Sequence, residues 1–455
     1  MATKSKKTGA RLPQGYVGAG EEGEGRSTQA RLRSPSASVW TERMVEALGT
    51  REAWYSLIDK VIDARTLWRA WCRVEANAGA AGVDRVGVER FARTAPERLR
   101  RLGEELKAGC YRAQAVRRVE IPKSEGGRRP LGIPTVTDRV VQAAVVEVIE
   151  PIFESRFEPR SYGFRSGRGC KDAQRDVDEA LTSGLVHVVD ADLKGYFDSI
   201  PHAGLMSRVH ERVKDGTVLR LIEGFLSQPI LSEVACWTPE AGTPQGAVLS
   251  PLLANIYLHP LDVQMREAGY RMVRYADDFV VLCDSAEAAR AALERIRGWV
   301  AKAGLTLHPE KTRIADLSQP GEHFDFLGYR FVRKPDGGLG RTIKPKKRKA
   351  LYARLAELTP RTNGKSTAEL VSRVSVWLRG VFGYFKHADH RALATIDAHV
   401  RYRLRRIFAK RHGLSGGAKG RKAHTRWRNN HFRDLGLFSL VDARAAILHP
   451  HRGHT

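Results

Sequence analysis

Apolar positions recur every three to four residues through 54–74 and 89–108, the spacing of two amphipathic helices. Between them Gly79-Ala-Ala-Gly-Val-Asp84 reads as a glycine-bearing loop. Residues 117–122 predict a strand, 123–130 a basic, glycine-rich tip and 131–134 the returning strand, with a helix over 138–153. From about residue 185 the pattern changes. Residues 185–193 are apolar and β-branched until they meet acids, and 202–212 and 248–268 read as helices. Residues 270–275 and 279–283 predict a hairpin whose turn is Ala276-Asp277-Asp278. Ser285 is placed to cap a helix that Gly304 ends, and 306–308 and 326–332 read as strands. Strands alternating with helices argue for an α/β or α+β sheet domain. From Lys344 onward the period is helical, over 349–357, 367–386 and 391–410, and glycine-rich 413–420 precedes a last basic-aromatic stretch. Residues 1–40 hold few large apolar side chains and predict a disordered tail, because they bury too little to offset ordering entropy.

Charge adds a partner to this outline. The 455 residues carry a formal net charge of +26 and a sequence pI near 10.2. Such an excess points to a polyanion, nucleic acid being the commonest. It is concentrated from Arg341 onward, where 27 Lys and Arg stand against 6 Asp and Glu, so a C-terminal nucleic-acid-binding domain is expected. The five cysteines (Cys72, Cys110, Cys170, Cys236, Cys283) form no CxxC pair. That argues against a disulfide framework or a thiolate zinc site and fits a reducing compartment, the cytoplasm. No uninterrupted apolar run reaches membrane-spanning length, and no apolar segment follows the N-terminal lysines as a secretory signal requires.

The acids give the chemistry. Phosphoryl transfer from a nucleoside triphosphate uses two divalent ions about 4 Å apart. Mg²⁺ takes hard oxygen ligands, usually a few carboxylates. A hairpin turn bearing Asp277 and Asp278 beside a strand ending in Asp192 would gather three. Adjacent carboxylates among apolar strands repel unless a cation joins them. The alternative is a solvated turn, for which Asp is equally suited.

Here the sequence resembles a known family. Tyr275-Ala-Asp-Asp278 is similar to the YxDD signature of reverse transcriptases, and five further blocks resemble those of group II intron-encoded enzymes. They are Ile121-Pro-Lys-Ser-Glu-Gly-Gly-Arg-Arg-Pro-Leu-Gly-Ile-Pro134, Ser161-Tyr-Gly-Phe-Arg-Ser-Gly-Arg168, Asp192-Leu-Lys-Gly-Tyr-Phe197, Gly242-Thr-Pro-Gln-Gly-Ala-Val-Leu-Ser-Pro251 and Phe326-Leu-Gly-Tyr329. The resemblance implies an α+β right-hand polymerase, with fingers and a ferredoxin-like palm over 111–332. A helical extension over 41–110 would precede it, and a helical thumb and maturase (X) domain over 344–438 and a short tail over 439–455 would follow. Asp192, Asp277 and Asp278, with the Leu193 carbonyl, would hold two Mg²⁺ ions, Mn²⁺ being a substitute. Asp190 is the wrong acid by spacing, since an aromatic is expected five residues after the catalytic Asp and Phe197 follows Asp192 that way. Phe197 would reject the 2′-hydroxyl, Lys123 and Arg129 would grip the triphosphate, Gln245 and Gly246 would line the pocket, and Lys311 would protonate pyrophosphate.

Arg165, Arg421, Lys422, Arg426 and Arg428 are the candidate nucleic-acid contacts, whereas Trp377, Phe382 and Phe385 read as core. Partners would be RNA template and intron RNA, DNA primer or target, dNTPs and, as an option, a second copy in a homodimer, but no membrane. With no cysteine after Cys283, the chain resembles the endonuclease-lacking members. The implied function is an RNA-dependent DNA polymerase that assists splicing and mobility of its intron by target-primed reverse transcription. Two readings stand beside it: an RNA-binding maturase whose polymerase is unused, and a reverse transcriptase recruited to CRISPR or phage defence.

Overall fold

The computed structural model describes residues 40, 42–48, 50–122, 128–232, 235–414 and 421–448. The expected tail thus lies outside the described residues except for Trp40, which is buried edge-on against Trp54. Two compact units form. The first comprises Met1–Glu179, Ala191–Val281 and Arg290–Thr312; the second comprises Ala180–Asp190, Leu282–Ala289 and Arg313–Thr455.

In the first unit the expected helix over 54–74 is two helices, Ile58–Val61 and Ala64–Ala76. Asp63 breaks it by capping the second, its carboxylate accepting from the Arg65 and Thr66 amides. The helix Val136–Glu154 is apolar almost all round and is the buried centre of this unit. Strand β1 (Val116–Pro122) pairs antiparallel with β2 (Arg128–Ile133). Strand β3 (His187–Asp192) comes next in the chain, and then β4 (Ile230–Leu231) and β5 (Cys236–Trp237), which extend the β1 sheet in the order β2-β1-β4-β5.

One residue ties distant parts of this unit together. The buried Asp215 carboxylate accepts from the amides of Leu57 (2.8 Å), Ile58 (2.9 Å), Thr217 (2.9 Å) and Val218 (3.1 Å). Burial raises its pKa, but the four N–H donors outweigh that and the net shift is downward. An acid with a depressed folded pKa contributes stability present above the ordinary carboxylate range and lost as pH falls through the folded pKa. Asp215→Ala orphans the four amides and should cost about 2–4 kcal/mol. Urea unfolding at pH 7 against pH 3 checks it: the native chain should lose the increment in acid and the variant should show no such loss.

The palm sheet adds β6 (Arg271–Tyr275), β7 (Asp278–Cys283) and β8 (Arg313–Asp316) to β3, in the order β6-β7-β3-β8. With helices between β3 and β6 and the helix Ala286–Lys302 between β7 and β8, this is the split βαβ order of a ferredoxin-like sheet. Residues 306–308, expected as a strand, make only an isolated bridge, Leu307 to Leu193.

In the second unit β8 pairs antiparallel with residues 187–190 of β3. Asp190 faces Arg313 at 4.0 Å, and burial pushes its carboxyl up to about 6. The strand expected over 326–332 is a hairpin, β9 (His323–Phe326) and β10 (Tyr329–Arg333), closed by β11 (Leu339–Ile343). Leu327 and Gly328 both take positive φ (47° and 82°), the two-residue turn that matches strand twist. Phe324 stacks on Phe331 beneath it.

Helices Pro345–Leu358, Thr367–Phe385 and His390–Arg411 follow. Within Thr367–Phe385, Phe385 is buried and Trp377 and Phe382 are half-buried. The segment expected as a tail from 439 begins with a helix, Leu440–Leu448, whose first amides donate to Asp397. Among the described residues no helix is long and apolar enough to cross a membrane.

Candidate active site

Every described residue of the expected catalytic and nucleotide sites belongs to the first unit. Strand β3 ends on Asp192, whose carbonyl accepts from the His308 amide (2.7 Å). Leu193 bridges Leu307 and the Lys194 amide donates to Thr306, so the 306–308 segment fixes the strand end. Gly195 then turns the chain at φ 59° into Tyr196–Ser199. The Lys311 ammonium lies 2.9 Å from the Asp192 carboxylate.

Across from it, the β6–β7 turn consists of Ala276, in the left-handed region at φ 60°, and Asp277. Burial drives the Asp277 pKa upward and the charge of Asp192 adds to it, while Arg129 and Arg274 oppose. Asp278 opens β7 and is half-buried.

The turn is held from behind by the 160–163 segment. Tyr162 N–H donates to the Arg274 carbonyl (2.8 Å), and Arg274 N–H donates to that of Arg160 (3.0 Å). A Cβ on Gly163 would meet Ala276 N at 2.2 Å and Tyr275 C at 2.8 Å, so only glycine lets the two backbones approach. Asn255 donates from Nδ2 to the Gly163 carbonyl (2.8 Å) and accepts from Arg274 Nη1 (2.9 Å). The fully buried Arg274 also pairs with Asp262 and donates to the Ala276 carbonyl (2.8 Å).

The nucleotide side is assembled from three blocks. Arg129 on β2 donates to Gln245 Oε1 (2.6 Å), and Gln245 Nε2 donates to Asp198 (2.8 Å). Gly132 N–H donates to the Gln245 carbonyl (2.7 Å), and Gly246 sits at φ 106° where a Cβ would strike the Gly132 carbonyl. Thr243 N–H donates to the Phe197 carbonyl (2.6 Å). Phe197 is half-buried, edge-on to Phe164 and Tyr196.

The sequence thus located Asp192, Leu193, Asp277, Asp278, Arg129, Phe197, Gln245, Gly246 and Lys311 in one unit, and Lys123 lies outside the described residues. Arg165 is a correction. Its side chain is 2% exposed and every guanidinium nitrogen donates internally, to the Glu154 carboxylate and the Glu158 and Ser161 carbonyls, which leaves it unable to reach a phosphate. Arg421, Lys422, Arg426 and Arg428 are exposed in the second unit, while Trp427 and Phe432 among them are buried against Phe408. Arg274, Asn255, Asp262, Gly163 and Asp198 were missed as supports. A signal existed for two of them: Asn255 and Asp262 are polar, seven apart and on one face of the helix Ser250–Glu267, among its apolar positions.

Among the described residues no group of three or more His, Cys, Asp or Glu encloses a metal site by itself. The donors nonetheless suit a hard divalent cation that keeps water and phosphate ligands. Desolvation and the charge of Asp192 both disfavour the Asp277 carboxylate, a cost that such a cation would relieve.

Two family models, in chain order, give the class: a reverse transcriptase domain followed by a maturase-specific domain. The family model "Reverse transcriptase (RNA-dependent DNA polymerase)" matches residues 121–331, and "Group II intron, maturase-specific domain" matches 348–427. Protein YkfC of Escherichia coli K12 is 34% identical over 295 residues, covering 56% of this chain and 76% of that protein. Group II intron-encoded protein LtrA of Lactococcus lactis subsp. cremoris is 31% identical over 318 residues. The match covers 55% of this chain and only 52% of LtrA, about half its length. A solved structure, "Partial Cas6-RT-Cas1--Cas2 complex", aligns at TM-score 0.36 and 24% identity over 55% of this chain and 43% of that one. The chain belongs to the group II intron-encoded reverse transcriptase/maturase family. Its domains act on RNA and DNA and depend on divalent metal.

Proposed function

We propose that this site extends a DNA primer on an RNA template, taking dNTPs and two Mg²⁺ ions. The placement of Asp192 at the end of β3 and of Asp277 in the turn that opens β7, the neighbouring strand, carries the reading. Asp192, Asp277 and Asp278, with the Leu193 carbonyl, would hold the ions. When bound, they lower the cost of charge on the attacking and leaving oxygens. The protein's own part is placement. Lys123 and Arg129 bind the triphosphate, Arg129 offering a forked donor set. Gln245, Gly246 and Phe197 wall the sugar, Phe197 against a 2′-hydroxyl. Lys311, already within reach of Asp192, gives a proton to departing pyrophosphate. Mn²⁺ is expected to substitute. Primer extension on an RNA template with dNTPs and Mg²⁺ tests this; a folded chain that binds RNA tightly yet extends nothing would shift the reading to a maturase alone.

Beyond chemistry, the second unit would bind the intron RNA and aid its splicing in the bacterial cytosol, as monomer or homodimer. Exposed Arg421, Lys422, Arg426 and Arg428 support it. Changing all four to Gln should weaken RNA binding and flatten its salt dependence. At about 0.7 per phosphate contact on single strands, the slope of log K against log salt should fall by about 3. An unchanged slope in filter-binding titrations would show that these residues do not touch phosphate.

A further inference from the structure

We infer that Arg274 is a positioning residue for the catalytic turn, its buried guanidinium fixing the Ala276–Asp277 peptide so that the Asp277 carboxylate faces the metal site. This rests on the reading of Asp277 as a metal-binding acid.

Burying a guanidinium is costly. A guanidinium at 0% exposure has left water entirely, and an apolar pair of similar volume commonly serves stability as well. Asp262 satisfies one edge of the group, at Nε and Nη2. The other edge, Nη1, is spent on Asn255 Oδ1 and on the Ala276 carbonyl. That carbonyl belongs to the same rigid peptide plane as the Asp277 amide, so holding the oxygen sets where Asp277 Cα points. The held residue needs holding, because Ala276 sits at φ 60°, a region that L-residues other than Asn and Asp visit rarely. Asn255 closes the frame by also bonding the Gly163 carbonyl, whose residue abuts Ala276 N from the opposite side. Arg274 therefore touches neither substrate nor metal but governs the orientation of a residue that does.

The test uses the full chain bound to primer and RNA template, with two variants. Arg274→Met combined with Asp262→Leu removes the ion pair as a unit and leaves no orphan charge. Arg274→Lys keeps a cation on Asp262 but cannot span Asp262, Asn255 and Ala276 together. Thermal unfolding reports the fold, electron paramagnetic resonance titration reports Mn²⁺ binding, and single-nucleotide kinetics separate kcat from KM for dNTP. In whichever variants fold, Mn²⁺ affinity should fall by about tenfold or more, and kcat by about 30-fold or more. KM for dNTP should change by less than about threefold, since an interaction that shapes only the reacting centre is lost. Native-like Mn²⁺ affinity and kcat in a folded variant would overturn the inference. So would a kcat loss that tracks melting temperature without any loss of Mn²⁺. Asp277→Ala is the control. If it leaves Mn²⁺ binding unchanged, the assignment of the metal site fails; if it abolishes binding that the Arg274 variants retain, only the positioning role fails.

Discussion

Asp277→Ala should abolish RNA-templated primer extension while leaving the protein folded. The side chain is half-buried in a turn and has no ion-pair partner among the described residues; its neighbours Arg129 and Arg274 are satisfied by Gln245 and by Asp262. On the proposed reading, what disappears is a carboxylate for the ions that would stabilise charge on the transferring phosphoryl group, worth several kcal/mol, or a factor of about 10³ or more in rate. Burial and Asp192 already disfavour the Asp277 charge, so removing it relieves repulsion and melting should stay level or rise slightly. Extension followed on gels, beside circular dichroism melting, checks both halves. Activity within tenfold of native would place the reactive centre elsewhere.

Gly163→Ala should rank next, though this residue carries no functional group. Its added Cβ would lie 2.2 Å from Ala276 N, 2.8 Å from Tyr275 C and 2.9 Å from Ala276 Cα. None of these is the far end of a flexible side chain, so one backbone must move. Overpacking of this kind costs about 1–3 kcal/mol. The movement is delivered to the residue before Asp277, and a misplacement near 1 Å at a reacting centre costs about 100-fold in rate. Melting and single-turnover extension measured together decide it. A stability loss alone, with the rate intact in the folded fraction, would show that the turn absorbs the methyl group.

The contrast between these two residues shows what the sequence could reveal. The turn at Asp277 was legible because an acidic pair interrupts two apolar runs, but only the resemblance of the surrounding blocks set it apart from a solvated turn. Asp192 was singled out from Asp190 in the same strand by the spacing to Phe197 that the resemblance implies. Gly163 was visible only as part of a block, since nothing local says which backbone passes beside it. Arg165 was misread for a related reason: a lone basic residue among glycines looks identical whether it reaches a phosphate or, as here, Glu154. In the second unit Trp427 and Phe432 sit amid exposed cations, yet Arg405 donates to the Trp427 carbonyl and both rings are buried. Helix limits failed where a single side chain intervened, as at Asp63, and very short strands such as β4 and β5 gave too few residues for a period to register.

The stitching of the catalytic turn also bears on how this enzyme comes into being. The segments meeting at Ala276 come from residues 160–163, from 255 and 262, and from the hairpin itself. These are contacts between parts of the chain up to about a hundred residues apart, the kind that form only after most loop-closure entropy has been spent. The turn therefore has no life as an autonomous hairpin. It is assembled with the cooperative unit around it and belongs to the high-stability end of native fluctuations, away from the fraying regions. A nascent chain acquires its polymerase geometry only once the helix bearing Asp262 has emerged and docked.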